Sequence, residues 1–174
     1  FIIGMNKLFE LNLSKEEMED ISKKLGADVV PCLYNRAIMT EGIGDKVIEI
    51  NTNFKYYILV IKPELSCNTK EMYEKIDVQN KFSHYNKSKN IIKALENNNL
   101  EQICNNLYNA FEEVVEPQDV IQNLKHELIS LGAINSLMTG SGSAVYGIFK
   151  NKQQAKNAYK VLKEKYQAYI CLSL

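Results

Sequence analysis

The chain is 174 residues long, 45% apolar and 24% charged, with Lys+Arg and Asp+Glu balanced at 21 each. That length supports one domain or one and a fraction, and the even charge argues against nucleic acid or a membrane surface as the main partner, since both reward a basic face. No apolar run approaches the roughly 20 residues of a membrane-crossing helix, and Cys32, Cys67, Cys104 and Cys171 are too scattered for a metal site or a disulfide framework, so reduced thiols and a cytoplasmic setting are expected.

Ile2, Met5, Leu8 and Phe9 recur at helical spacing from the very first residue, so the opening segment reads as the tail of a helix begun upstream of Phe1. Ser14 stands three residues before Glu17, the spacing of a capping box, and Met18, Ile21 and Leu25 share the face that follows. Gly26 is expected to close that helix as a C′ residue. Asp28 is a lone carboxylate between the helix end and the apolar pair Val29-Val30; by residue type alone it reads as a turn or capping aspartate. Residues 37–39 and 47–50 read as strands around the turn Glu41-Gly-Ile-Gly44.

The run Tyr56-Tyr-Ile-Leu-Val-Ile61 is continuously apolar and β-rich, the pattern of a buried central strand, and Lys62-Pro63 ends it. Asn68 or Thr69 can cap the short helix that carries Met72, Tyr73 and Ile76. Residues 80–90 read as polar surface, and Ile91, Ile92 and Leu95 as a short helix that breaks at Asn97-Asn98-Asn99. Leu100, Ile103, Leu107, Phe111 and Val114 form one helical stripe; Pro117 opens a second helix that stops at Gly132. Two apolar runs then flank the turn Gly140-Ser141-Gly142-Ser143, before a helix marked by Ala155, Ala158, Leu162 and Tyr166 and a strand at 168–172. The glycines leave backbone N–H groups open to an anion, although the same pattern serves a silent hairpin.

From Tyr56 onward the order is βαββαβ, which predicts an α+β, ferredoxin-like fold with extra helices in the first crossover and its helices on one face of the sheet. Residues 1–52 fall outside that unit and read as the C-terminal remnant of an N-terminal domain, with residues 53–174 as the C-terminal domain.

Taken in order, Gly26-Ala-Asp-Val29, Glu41-Gly-Ile-Gly-Asp45, Lys62-Pro63 with Thr69 and Tyr73, and Met138-Thr-Gly-Ser-Gly-Ser143 resemble the second half of the GHMP small-molecule kinases over essentially the whole chain. The resemblance implies ATP- and Mg²⁺-dependent phosphoryl transfer to a hydroxyl of a small molecule, with cytidine-diphosphate-linked methylerythritol as the substrate of the branch it matches best. It casts Asp28 as the catalytic carboxylate. Tyr73 becomes an aromatic stacked on cytosine, where the residue pattern alone allows a core aromatic beside Met72 and Ile76. Thr69 falls beside that pocket, where helix capping is the plainer role, and Gly140, Ser141 and Gly142 become backbone donors to the substrate diphosphate.

Val30 between Val29 and Pro31 departs from the family pattern, as does Asn35-Arg36 in place of a glycine pair. The family's ATP loop and catalytic lysine would lie upstream of Phe1, which implies an inactive piece with an apolar packing face that promotes self-association. A homoserine- or mevalonate-type kinase, or a non-catalytic ferredoxin-like binding module, are the competing readings.

Overall fold

A computed structural model describes residues 1–44, 46–79 and 85–173. Asp45 of the second motif and residues 80–84 of the expected polar stretch lie outside the described residues. The chain divides into two units, residues 1–53 and 54–173.

In the first unit, α1 (Ile2–Leu8) leads to α2 (Lys15–Leu25). The expected capping box forms: Ser14 Oγ accepts from the Glu17 N–H at 3.2 Å, and the Ser14 N–H donates to the Glu17 carboxylate at 2.8 Å. These contacts satisfy donors that a helix start leaves unpaired. Asn6 ties α1 to this entry, accepting from the Leu13 N–H and donating to the Leu13 carbonyl. Gly26 does end α2, but at φ 161 and ψ 154, an extended conformation and not the left-handed C′ form of a glycine-stopped helix. The extended exit sends the chain into two 3-10 turns, Ala27–Val29 and Pro31–Leu33. The hairpin β1 (Ile38–Glu41) and β2 (Lys46–Glu49) follows, paired from Ile38↔Glu49 to Glu41↔Lys46.

The second unit holds β3 (Tyr57–Lys62), α3 (Thr69–Gln79), α4 (Tyr85–Glu96), α5 (Leu100–Asn105), α6 (Gln118–Ser130), β4 (Asn135–Met138), β5 (Val145–Phe149), α7 (Lys152–Leu162) and β6 (Gln167–Leu172). Its sheet runs β4-β5-β3-β6 with every pair antiparallel, the ferredoxin-like order. β3 sits between β5 and β6, which is why Leu59 and Ile61 are fully buried and its sequence reads as an unbroken apolar run. Leu59, Ile61, Val145 and Phe149 form one core with Ile121, Leu124 and Leu128 of α6 and Ala155, Ala158 and Leu162 of α7.

In the second unit the structure departs from the sequence reading in three places. Residues 85–90 belong to α4, so that helix begins well before its first apolar residue. The single stripe from Leu100 to Val114 is broken: α5 stops at Asn105, and Phe111 lies in a separate 3-10 turn, Ala110–Glu113. Asparagine side chains cause the break by competing for backbone groups: Asn106 donates to the Gln102 carbonyl at 2.8 Å, and Asn109 accepts from the Phe111 N–H at 3.0 Å. Finally, the helices do not all lie on one face. Neighbouring residues of β4 point to opposite sides; Ser136 donates to the Lys125 carbonyl of α6, whereas Asn135 donates to the Cys104 carbonyl of α5.

Candidate functional site

The loop between β4 and β5 is built from small residues under tight constraint. Thr139 donates to the Ala144 carbonyl at 2.9 Å and Gly142 to the Thr139 carbonyl at 3.1 Å, which closes the turn. Gly142 has φ +95, and a Cβ there would lie 2.8 Å from Met138 Sδ and 3.1 Å from Cys67 Sγ. Both the conformation and the space exclude a side chain. Its N–H is spent inside the turn, whereas the N–H groups of Gly140 and Ser141 meet no acceptor among the described residues. Below the loop, fully buried Ser143 accepts from Lys62 Nζ at 2.7 Å and donates to the Leu65 carbonyl. Lys62 Nζ also donates to Leu65 at 2.9 Å, so the loop is clamped to the end of β3 by a closed triangle of contacts.

Thr69 and Ser141 meet directly, hydroxyl to hydroxyl at 2.9 Å. Capping of α3 falls to Asn68, whose Oδ1 accepts from the Lys70 N–H at 3.0 Å, so the Thr69 hydroxyl is left for the loop. Tyr73 lies one turn further along the helix and is 56% exposed, in contrast to buried Met72 and Ile76, so it is a surface aromatic and not a core one. Its ring meets that of Phe111 in a T-shaped pair at 5.0 Å between centroids and 89° between planes, a favourable quadrupolar arrangement that takes up at most one face of the Tyr73 ring.

The 3-10 turn that carries Phe111 is bolted to the outer edge of β4. Glu112 accepts from the Met138 N–H at 2.6 Å and pairs with Lys125 at 2.5 Å. Asn109 donates to the Met138 and Gly140 carbonyls at 2.8 and 2.9 Å. Sequence reasoning passed over Lys62, Ser143, Asn109 and Glu112 as participants. One signal was available: Asn109-x-x-Glu112 has the spacing of a capped turn inside what otherwise reads as a continuous helix.

In the first unit, Asp28 is exposed on the 3-10 turn 27–29, and its carbonyl accepts from Cys32 Sγ at 3.3 Å. The two motif stretches there are brought together. Gly44, at φ +94, sits so that a Cβ would touch Ala27 at 3.5 Å, placing the 41–44 turn beside the Asp28 segment. Pro31 opens the second 3-10 turn, and Val30 before it is fully buried. The far end of the segment is held by Tyr34, which donates to Glu19 at 2.5 Å, and by Lys15 and Arg36, both paired with Glu49. The Glu19 carboxylate raises the Tyr34 hydroxyl above its ordinary value, chiefly through this hydrogen bond, and Lys15 lowers Glu49.

A groove of about 740 Å³ runs along α3, lined by Glu71, Glu74, Lys75, Val78, Glu113 and Glu116 among others, and contains none of the candidate site residues Asp28, Thr69, Tyr73, Gly140, Ser141 and Gly142. Among the described residues no group of three or more His, Cys, Asp or Glu could hold a metal ion, so no ligands are assigned to Mg²⁺. The four cysteines are free, and no described helix is long and apolar enough to cross a membrane.

Residues 91–168 match the family described as GHMP kinases C terminal. A 4-diphosphocytidyl-2-C-methyl-D-erythritol kinase of Clostridium tetani is 36% identical over 96% of this chain and 60% of its own length. The crystal structure of a 4-(cytidine 5'-diphospho)-2C-methyl-D-erythritol kinase superposes with a TM-score of 0.77 at 19% identity, over 98% of this chain and 60% of that one. A homoserine kinase from Cytophaga hutchinsonii gives 0.76 at 16% identity, over 98% and 61%. Likeness at those identities speaks for a shared fold, and the chain spans about 60% of the length of these relatives.

Proposed function

We propose that this chain is part of a GHMP kinase, and that the protein carrying it transfers the γ-phosphoryl group of ATP to the 2-hydroxyl of 4-diphosphocytidyl-2-C-methyl-D-erythritol, a step of non-mevalonate isoprenoid biosynthesis. The observation that carries the reading is 36% identity across 96% of the chain to a kinase of that name. Residues 1–52 are taken as the trailing part of an N-terminal domain and 53–174 as the C-terminal domain. The four free thiols suit a reducing cytoplasm, and exposed Phe1, Leu8, Phe9 and Leu11 favour self-association of the 174-residue chain.

Phosphoryl transfer asks a protein for positioning and charge stabilisation more than for covalent chemistry. In this reading the cytosine stacks on Tyr73, which the edge-on contact with Phe111 leaves able to offer a face. The N–H groups of Gly140 and Ser141 donate to the diphosphate, with the Thr69–Ser141 hydroxyl pair at its side. Gly142 contributes by shape, since its own N–H closes the turn. Asp28 takes the proton of the attacking hydroxyl as that oxygen bonds to the γ-phosphorus and the bond to the bridging oxygen breaks, releasing ADP. ATP supplies the phosphoryl group, and a bound Mg²⁺ would supply charge neutralisation on its phosphates.

The test is ADP release by the full-length gene product, with 4-diphosphocytidyl-2-C-methyl-D-erythritol, homoserine and mevalonate offered separately. Turnover is expected on the cytidine substrate alone, and Asp28→Asn should lower it by about 10²- to 10⁴-fold with the fold intact. Turnover on another alcohol would discard the substrate, and an active Asp28→Asn would discard the carboxylate's role.

A further inference from the structure

One amide side chain joins the two halves of the pocket just described. Asn109 Oδ1 accepts from the Phe111 N–H at 3.0 Å and so fixes the turn from which Phe111 meets the Tyr73 ring. Asn109 Nδ2 spends its two hydrogens on the Met138 carbonyl, at the end of β4, and the Gly140 carbonyl, inside the glycine loop, at 2.8 and 2.9 Å. An amide offers two donor hydrogens and an acceptor oxygen. Both hydrogens are used, and the oxygen is used in the opposite direction, toward the aromatic wall.

Each side has further support, and the Thr69–Ser141 hydroxyl pair also reaches from α3 to the loop, but Asn109 is the described side chain that holds both the Phe111 N–H and the Gly140 carbonyl. The loop is also held from below by Lys62 and Ser143, and the 3-10 turn is also held by Glu112 on Met138. Gly140 itself, at φ +56, has open space where a Cβ would lie, so no side chain locks its conformation. Its carbonyl is oriented by Asn109, and that orientation sets where the following Ser141 N–H points.

We propose that Asn109 is a positioning residue that sets the spacing and angle between a base-stacking face at Tyr73 and the anion-binding N–H groups at Gly140–Ser141. It thereby makes the site select a nucleoside joined to a diphosphate over either piece alone. The inference rests on the reading of Tyr73 and the loop given above, and adds the residue that couples them. When two subsites are held at the separation a ligand's linker demands, the second contact forms at a high effective concentration; when one subsite swings, each piece still binds but the linkage gain falls.

Calorimetric titration of the full-length gene product with cytidine, inorganic pyrophosphate and cytidine 5'-diphosphate separates these quantities. The product of the two single dissociation constants divided by that of cytidine 5'-diphosphate measures the coupling. Asn109→Ala is expected to lower the coupling by about 10-fold or more while each single affinity stays within about 2-fold. Should Asn109→Ala not fold, Asn109→Asp keeps an acceptor for the Phe111 N–H, removes the donors to Met138 and Gly140, and is expected to give the same loss. Unchanged coupling, or a parallel fall in all three affinities, overturns the inference as a merely structural role. A parent protein that binds neither cytidine nor pyrophosphate overturns the nucleoside-diphosphate reading and this inference with it.

Discussion

Gly142 answers to two constraints at once. Its φ of +95 is costly for any side chain, and a Cβ would meet Met138 Sδ at 2.8 Å. Gly142→Ala is therefore expected to destabilise the chain by about 1–3 kcal/mol, read from urea unfolding. Gly140→Ala has the open space that Gly142 lacks and should cost less; equal losses would show that the Met138 contact is irrelevant. Ser143 is the buried hub between Lys62 and Leu65, so Ser143→Ala removes one partner from each, while their direct contact remains, at about 0.5–1.5 kcal/mol. Tyr73 buries little against its own chain, so Tyr73→Ala should barely move stability. It should still weaken the cytidine substrate by about 5- to 100-fold, as loss of a base stack does, and leave ATP unaffected. Equal effects on both ligands would count against the stacking role.

Among the elements, the 3-10 turn Ala110–Glu113 carries the most consequence for its length. β4 is an edge strand, and unpaired edge groups need partners; Glu112 and Asn109 supply them at Met138. The Glu112–Lys125 pair is shielded, with side chains 13% and 17% exposed. Glu112→Ala would strip both the edge N–H and the Lys125 ammonium of their partner, for an expected loss of about 3 kcal/mol in a denaturant melt. A loss below about 1 kcal/mol would mean that water replaces the carboxylate freely. On the other side of the sheet, burial pushes the Cys104 thiol up to about 11, with Glu101 adding to it. The folded state thus holds the Cys104 proton more tightly than the unfolded chain. The stability from this thiol is complete below the ordinary thiol value and is lost as pH rises through about 11. Unfolding midpoints should fall between pH 8 and pH 10.5, and less steeply in Cys104→Ala. An identical slope would remove Cys104 as the source.

At the scale of the molecule, the two units differ in how much core each holds. Residues 54–173 enclose a continuous core from Leu59 to Leu162, whereas the apolar residues that residues 1–53 bury, among those described, are Val30 and Ile50. A chain of about 50 residues with so little buried apolar surface does not offset its backbone entropy unaided. Residues 54–173 alone are expected to unfold cooperatively, and residues 1–53 alone to give no transition in circular dichroism. A cooperative melt of 1–53 would contradict that division of stability.

Features that depend on neighbours within a few residues could be read along the chain. The capping box at Ser14–Glu17, the start of α6 at Pro117, the unbroken strand read at Tyr56–Ile61 and found at Tyr57–Lys62, and the hairpin around Gly140–Ser143 were all legible, because caps, turns and periodicity are local interactions. The βαββαβ order followed from them. Only the tertiary structure decided the stop of α5 at Asn105, the second helical face and the clamps on the loop. Thr69 and Ser141 are 72 residues apart, and Lys62 and Ser143 are 81. Whether a hydroxyl caps its own helix or meets another loop is set by which strands pair. A stripe of apolar residues records that a face is buried but not where the chain turns within it. Asn109 shows both limits: its spacing to Glu112 announces a turn, while its hold on Gly140 exists only once β4 has been laid beside that turn.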